Sequence, residues 1–329
     1  MKKFLTLFLA FVVSVIPFAG CKNDGDKIKI ELNEVTHSVF YAPLYLAIEL
    51  GYFEEENIEI SLTNGGGADK VMTAVVSKNA DIGLMGPETV LYVMAQGKKD
   101  TPKVFADLTQ KDGAFLLSKN PEPDFNLNSL RGKDILAGRE GGVPAMSFEY
   151  ILHQAGMTNG VDYTLNFSVQ FNLMTPAFES GTGDYCTMFE PTASEFEKAG
   201  KGYIVASMGE LSGEIPYTCF IALESYLNDN PDAVKGFLRA IKKGMNYLLT
   251  HTDEEVANAL SNQFVGTSVE SLATSIKNYK SIEAWKTDLI PTKTGFERLQ
   301  DIMTYAGELD EKLPYDDIVD ITLLNEING

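Results

Sequence analysis

Side chains able to do covalent or metal chemistry are scarce in this chain. Its 329 residues include three histidines, His37, His153 and His251, and three cysteines, Cys21, Cys186 and Cys219, none at the spacing of a metal site. No G-x-S-x-G turn marks a nucleophilic serine. Glu88 and Glu190 can be drawn as a glycosidase-like carboxylate pair, but single glutamates at a helix start and a strand end are too common to define one. The pattern reads as a site that binds rather than transforms, and neither a cofactor nor a metal ion is expected.

The residues suited to recognition fall in loops. In Thr36-His37-Ser38-Val39-Phe40-Tyr41, His37 and Ser38 offer polar groups at a helix start, and Phe40 and Tyr41 offer flat walls. Asn64, Gly65 and Gly66 uncover backbone amides before a helix, an arrangement that accepts anions or polar substituents but also serves as a plain turn. Gly86, Glu88 and Thr89 lie in a strand-to-helix turn, where Glu88 either faces a ligand or complements the helix dipole. Arg139, Gly141 and Gly142 precede the helix start at Pro144 and leave N–H groups free. Phe171 ends a later strand, Glu190 directly follows another and should point toward the crevice, and Tyr217 sits in a connecting segment, IPYTCF.

The elements that position these loops alternate. Runs at 28–35, 58–64, 80–84, 104–108, 114–118, 135–138, 164–170 and 184–189 have strand character. Helical patterns cover 41–50, 68–78, 87–96, 144–155 and 174–181 between them, and from Ser225 onward the chain reads as mostly helical. This rhythm specifies an α/β protein whose two halves share one element order. In such sheets ligands sit beyond the carboxyl ends of the strands, where these loops gather.

The runs HSVFYAPLYLAIELGYFEEENIEISL, NGGGADKVMTAVVSKNADIGLMGPE and LRGKDILAGREGGVPAMSFEYIL resemble the solute-binding proteins of ABC importers for nitrate, sulfonates, taurine and thiamine pyrimidine precursors. That resemblance covers essentially the whole chain after the leader. It implies a type 2 periplasmic-binding fold, with two α/β lobes joined by two crossovers and a ligand cleft between them. Residues 28–110 and 222–329 would form lobe 1 and residues 111–221 lobe 2, closing about crossovers near 108–114 and 216–222. The implied partners are a small-molecule solute, an ABC permease and its ATPase, with the protein acting as a monomer. A ligand sensor, or a pyrimidine-synthesising enzyme on the same fold, is the alternative of another class.

Residues 1–20 have the basic start, apolar run and small-residue end of a signal peptide. The site Phe18-Ala19-Gly20-Cys21 resembles a bacterial lipobox with Phe18 in place of the usual Leu, and implies lipid on Cys21, a tether over 21–27 and an extracytoplasmic, membrane-anchored protein. Loss of Lys2 and Lys3 with the leader takes the formal charge from −19 to −21 over 309 residues, a balance that repels nucleic acid and anionic lipid. Cys186 and Cys219 then remain, as one bridge or two free thiols. Carboxylates outnumber Arg139 among the candidates, which favours a nitrogen-bearing, heterocyclic ligand stacked on Phe40, Tyr41 or Phe171, with a sulfonate or nitrate-type anion as the alternative.

Overall fold

The computed structural model describes residues 27–97 and 99–328; the leader and Cys21 lie outside the described residues. Ten strands form two sheets: β1 (Ile28–Glu34), β2 (Ile58–Asn64), β3 (Ile82–Met85), β4 (Pro102–Thr109), β5 (Ala114–Ser118), β6 (Asp134–Leu136), β7 (Thr164–Leu165), β8 (Tyr185–Phe189), β9 (Tyr203–Ser207) and β10 (Thr218–Leu223). The first sheet has the order β2-β1-β3-β10-β4 and the second β7-β6-β8-β5-β9. In each, the first three strands of the order run parallel, and the fourth is antiparallel to both its neighbours. That fourth strand is the one that follows a crossover, so the two lobes repeat one plan and each crossover feeds directly into a sheet interior.

Local sequence explains the elements. In β1 the buried residues include Ile30 and Leu32, alternating with exposed positions, whereas every residue of β3 and β10 is buried, as strands covered on both faces require. Gly51 ends the helix Ala42–Glu49 by taking a φ of +73°, a conformation costly for other residues. Pro231 opens the twenty-residue helix Pro231–Thr250, whose buried stripe includes Val234, Phe237, Leu238, Ile241 and Leu248. These two helices cross at Gly244, where a β-carbon would lie 2.1 Å from the Pro43 carbonyl oxygen. Leu116, Leu130, Phe148, Leu152 and Tyr163 belong to a separate cluster in the second lobe.

Some expected elements change. The strand expected over 164–170 stops at Leu165, because Asn166 turns its side chain to Asp134 Oδ2 (2.9 Å) and accepts from Ser168 N (3.0 Å) and Oγ (2.6 Å). A short polar side chain that bonds its own neighbourhood competes with the sheet ladder in this way. Phe171 consequently begins a 3-10 turn, Phe171–Leu173, instead of ending a strand. β10 spans residues on both sides of 221/222 and lies wholly in the first sheet. Cys186 and Cys219 are free and buried, on β8 of one sheet and β10 of the other.

The approach at Gly244 generates a test. Gly244→Val forces the two helices apart, and overpacking of this kind costs about 1–3 kcal/mol. The guanidinium unfolding midpoint should fall accordingly; an unchanged midpoint would show that the contact at Pro43 is dispensable.

Candidate functional site

The strand ends of both sheets face one another across a pocket. Its lining includes Val35 and Thr36 after β1, Gly86 and Glu88 after β3, Arg139, Gly142 and Val143 from the second lobe, and Phe171, Phe189 and Tyr217 as aromatic walls. The space open to the centre of a water molecule is about 70 Å³. Most of the surface is apolar, so the polar groups stand out.

Glu88 dominates them. It begins the helix Glu88–Ala95, is 1% exposed, and its Oε2 has no hydrogen-bond partner. Burial pushes the carboxyl up to about 7, and the Arg139 guanidinium and the N–H groups of Glu88 and Val143 offset only part of that rise. Arg139 Nη2 stands 3.8 Å from Glu88 Oε1 and its Nε 3.9 Å from Asp69 Oδ1, so one cation is shared by two carboxylates. A β-carbon on Gly86 would lie 2.1 Å from Glu88 Oε2; the glycine makes room for the carboxyl to fold back over the turn. The helix Val143–Gln154 starts against the same pocket, with Gly142 as its extended N-cap. Tyr217 is 5% exposed, and its hydroxyl makes no hydrogen bond of ordinary length and angle, although the Asp112 carboxyl lies beside it.

Of the residues singled out in the sequence, Tyr41, Gly86, Glu88, Arg139, Gly142, Phe171 and Tyr217 come together here. The others lie outside that lining, although His37, Ser38 and Glu190 border an adjoining hollow that shares Thr36, Phe171 and Phe189 with it. Both ring nitrogens of His37 lie at hydrogen-bond distance from oxygens, Glu34 Oε1 at 2.8 Å and the Gln263 carbonyl at 2.9 Å, a setting that favours the doubly protonated ring. Its pKa is raised, chiefly by the hydrogen bond to Glu34, whose Oε2 accepts from Tyr45 Oη at 2.6 Å. His37 therefore fastens its loop to the helical region of lobe 1. Ser38 caps the turn Val39–Tyr41 and donates to the Glu190 carbonyl at 2.8 Å. Phe40 is fully buried among Tyr41, Phe189, Tyr217 and Tyr279.

Glu190, expected to point into the cleft, is turned aside and saturated. Its Oε1 accepts from Ser194 Oγ (2.6 Å) and Asn278 Nδ2 (2.7 Å), its Oε2 from Ser194 N (3.0 Å), and its own N–H donates to Tyr279 Oη (2.9 Å). Thr89 donates to the Gly86 carbonyl at 2.8 Å and lies on the far side of the turn, beside Tyr92. Gly141 accepts at its carbonyl from Tyr92 Oη at 2.7 Å, a clasp between lobes outside the pocket. Asn64 Oδ1 closes the turn onto Gly66 N (2.9 Å), Gly65 packs tightly on Asn33 and Val71, and Gly66 lines the outer mouth. Gly67 and Ala68 take their place in the wall.

Val35, Val143, Phe189 and Thr218 also line the pocket without having been singled out. Phe189 ends β8 and enters the lining, whereas Glu190, in the turn that follows, is held by Ser194 and Asn278. Among the described residues no group of three or more His, Cys, Asp or Glu could hold a metal ion.

Comparison with known proteins agrees with this architecture. A family model described as NMT1/THI5 like matches residues 39–255. YtlA of Bacillus subtilis (strain 168), whose name calls it a binding protein, is 40% identical over 332 residues, covering 100% of this chain and 99% of its own. The 4-amino-5-hydroxymethyl-2-methylpyrimidine phosphate synthase of Candida albicans (strain WO-1) is 27% identical over 65% of each chain. Among solved structures, the periplasmic nitrate-binding protein NrtA from Synechocystis PCC 6803 superposes with a TM-score of 0.77 at 17% identity, over 92% of this chain and 88% of that one. With its two mixed α/β lobes about a shared cleft, the chain has the type 2 periplasmic-binding fold and belongs to the NMT1/THI5-like family.

Proposed function

We propose that this protein is the extracytoplasmic solute-binding component of an ABC importer, held to the membrane by lipid on Cys21, and that it captures a compact nitrogen-bearing ring by lobe closure and delivers it to a permease and its ATPase. The observation that carries the ligand class is the unpartnered Glu88 Oε2 in an apolar, aromatic-walled pocket. A buried acceptor without a donor is costly, and an amine, amidine or protonated heterocycle supplies the donor. The pocket suits a single ring: on the same measure one water occupies about 10–15 Å³. Tyr41, Phe171 and Phe189 offer faces for stacking. Sulfonate or nitrate would instead meet a buried carboxyl, with Arg139, the one basic residue in the lining, already shared between Glu88 and Asp69.

Closure fits the same geometry. Residues 110–113 and 214–217 link the sheets, and the lobes meet through Tyr92–Gly141, Ser38–Glu190 and Arg139–Glu88. A ligand between Glu88 and the Gly142–Pro144 turn touches both lobes and so favours the closed form.

Benzamidine and 4-aminopyrimidine should raise the melting temperature of residues 22–329, with nitrate and ethanesulfonate leaving it unmoved. A shift with the anions alone would discard the ligand class. Glu88→Gln should weaken benzamidine binding by at least about tenfold in calorimetry, a charge-assisted hydrogen bond being worth about 1.5–3 kcal/mol. The same substitution should stabilise the unliganded protein at alkaline pH. With its pKa raised from the ordinary 4.5 to about 7, Glu88 binds a proton in the folded state that the unfolded chain has lost, so its contribution to stability falls as pH rises across that window. The gain in melting temperature should therefore be small at pH 4 and largest above pH 7; a constant gain would contradict the titration. Cys21→Ser should release the protein from membranes, and retention in the membrane fraction would refute the anchor.

A further inference from the structure

The pocket beside Glu88 is the smallest of three neighbouring spaces. The outer mouth on one side has about 540 Å³ open to the centre of a water molecule, against about 70 Å³ in the pocket, and its walls carry Asp69, Lys70, Arg139 and Glu140. The hollow on the other side has about 200 Å³ on that measure and a threonine-rich wall, Thr36, Thr175, Thr187 and Thr192. An apolar chamber is thus set between two larger polar ones. It shares Gly67 and Arg139 with the mouth, and Thr36 and Phe189 with the hollow. Among the described residues Phe171 alone lines all three.

The chain holds this ring at the boundary by anchoring the segment on either side of it. Asn166 Nδ2 donates to Asp134 Oδ2 at 2.9 Å before the turn, and Met174, 3% exposed, starts the helix Met174–Glu179 after it. Leu173 N donates to the Gln170 carbonyl at 2.8 Å and closes the turn between those anchors. Gln170, Asn172 and Leu173 are exposed, whereas Phe171 is half-buried and meets Phe189 edge-on, with centroids 6.3 Å apart and the planes at 70°. Phe171 comes from the second lobe, and Thr36 and Gly67, with which it bounds the pocket, come from the first.

Resting on the ligand class proposed above, we infer that Phe171 is the residue that determines solute size: its ring partitions the apolar pocket from the mouth and the hollow and limits the solute to what the pocket alone contains. A single ring on Glu88 stays within the partition. A second fused ring meets the Phe171 side chain, and crowding of a packed apolar site is costly. Selection of this kind works by a clash built against the larger competitor, with no added attraction for the smaller one. Truncation of Phe171 joins the pocket to both larger spaces and removes the clash.

The test is calorimetry of the wild-type protein, Phe171→Ala and Phe171→Leu with benzamidine and with 2-naphthamidine, which carries the same amidine on two fused rings. The wild type should favour benzamidine by at least about tenfold. Phe171→Ala should reverse that preference, and Phe171→Leu, which keeps a bulky side chain at the boundary, should retain it. A wild type that binds both probes equally would overturn the size limit. So would a weakening of both by the same factor in Phe171→Ala, the result expected if the ring only packs. Binding of neither probe by the wild type would overturn the ligand class and the size limit together, an outcome distinct from the other two.

Discussion

An ionisable carboxyl buried without a full set of partners is costly, and much of the cleft is arranged around holding Glu88 in that condition. Gly86 gives up its side chain so that the carboxyl can fold back over the turn, and Arg139 approaches from the second lobe without closing to a tight ion pair. The start of the helix Val143–Gln154 directs an N–H toward the same group. None of these removes the desolvation that keeps the carboxyl near neutrality. The fold thus keeps a carboxyl of the pocket lining in a destabilised state at the expense of its own stability.

The cross-lobe contacts divide the remaining work. On one flank Glu190 joins β8 to lobe 1 through Ser38, Asn278 and Tyr279; on the other, Tyr92 reaches the Gly141 carbonyl and His153 stacks on Tyr305 at 4.1 Å. Between the flanks lie the aromatic walls and the crossovers, where Phe40 rests on Gly113. Glu88 and Glu190 thus illustrate how one residue type at comparable positions serves different ends. One lines the pocket with an oxygen left unsatisfied, and the other accepts three hydrogen bonds and links the lobes.

Much of the fold was legible because it is written in short-range patterns. The continuous apolar run of β5, the alternation in β1, Gly51 at a helix end and Pro231 at a helix start each act within a few residues. What escaped depends on longer range. Asn166 ends β7 because Asp134, on a neighbouring strand, is in reach of its side chain. The antiparallel insertion of β10 between β3 and β4 depends on the return of the chain from the other lobe.

The candidate site divides in the same way. Residue types, loop positions and the family resemblance put Glu88, Arg139, Gly142 and Tyr217 among the candidates, and the structure gathers these four in one pocket. Those signals did not separate Glu88 from Glu190, or Tyr41 in the wall from Phe40 behind it. Sequence determined which groups were available and which elements would present them. Tertiary structure decided which groups remain unpaired, because hydrogen-bond saturation depends on partners such as Asn278 and Tyr279, nearly ninety residues from Glu190 in the chain, and only packing brings them within reach.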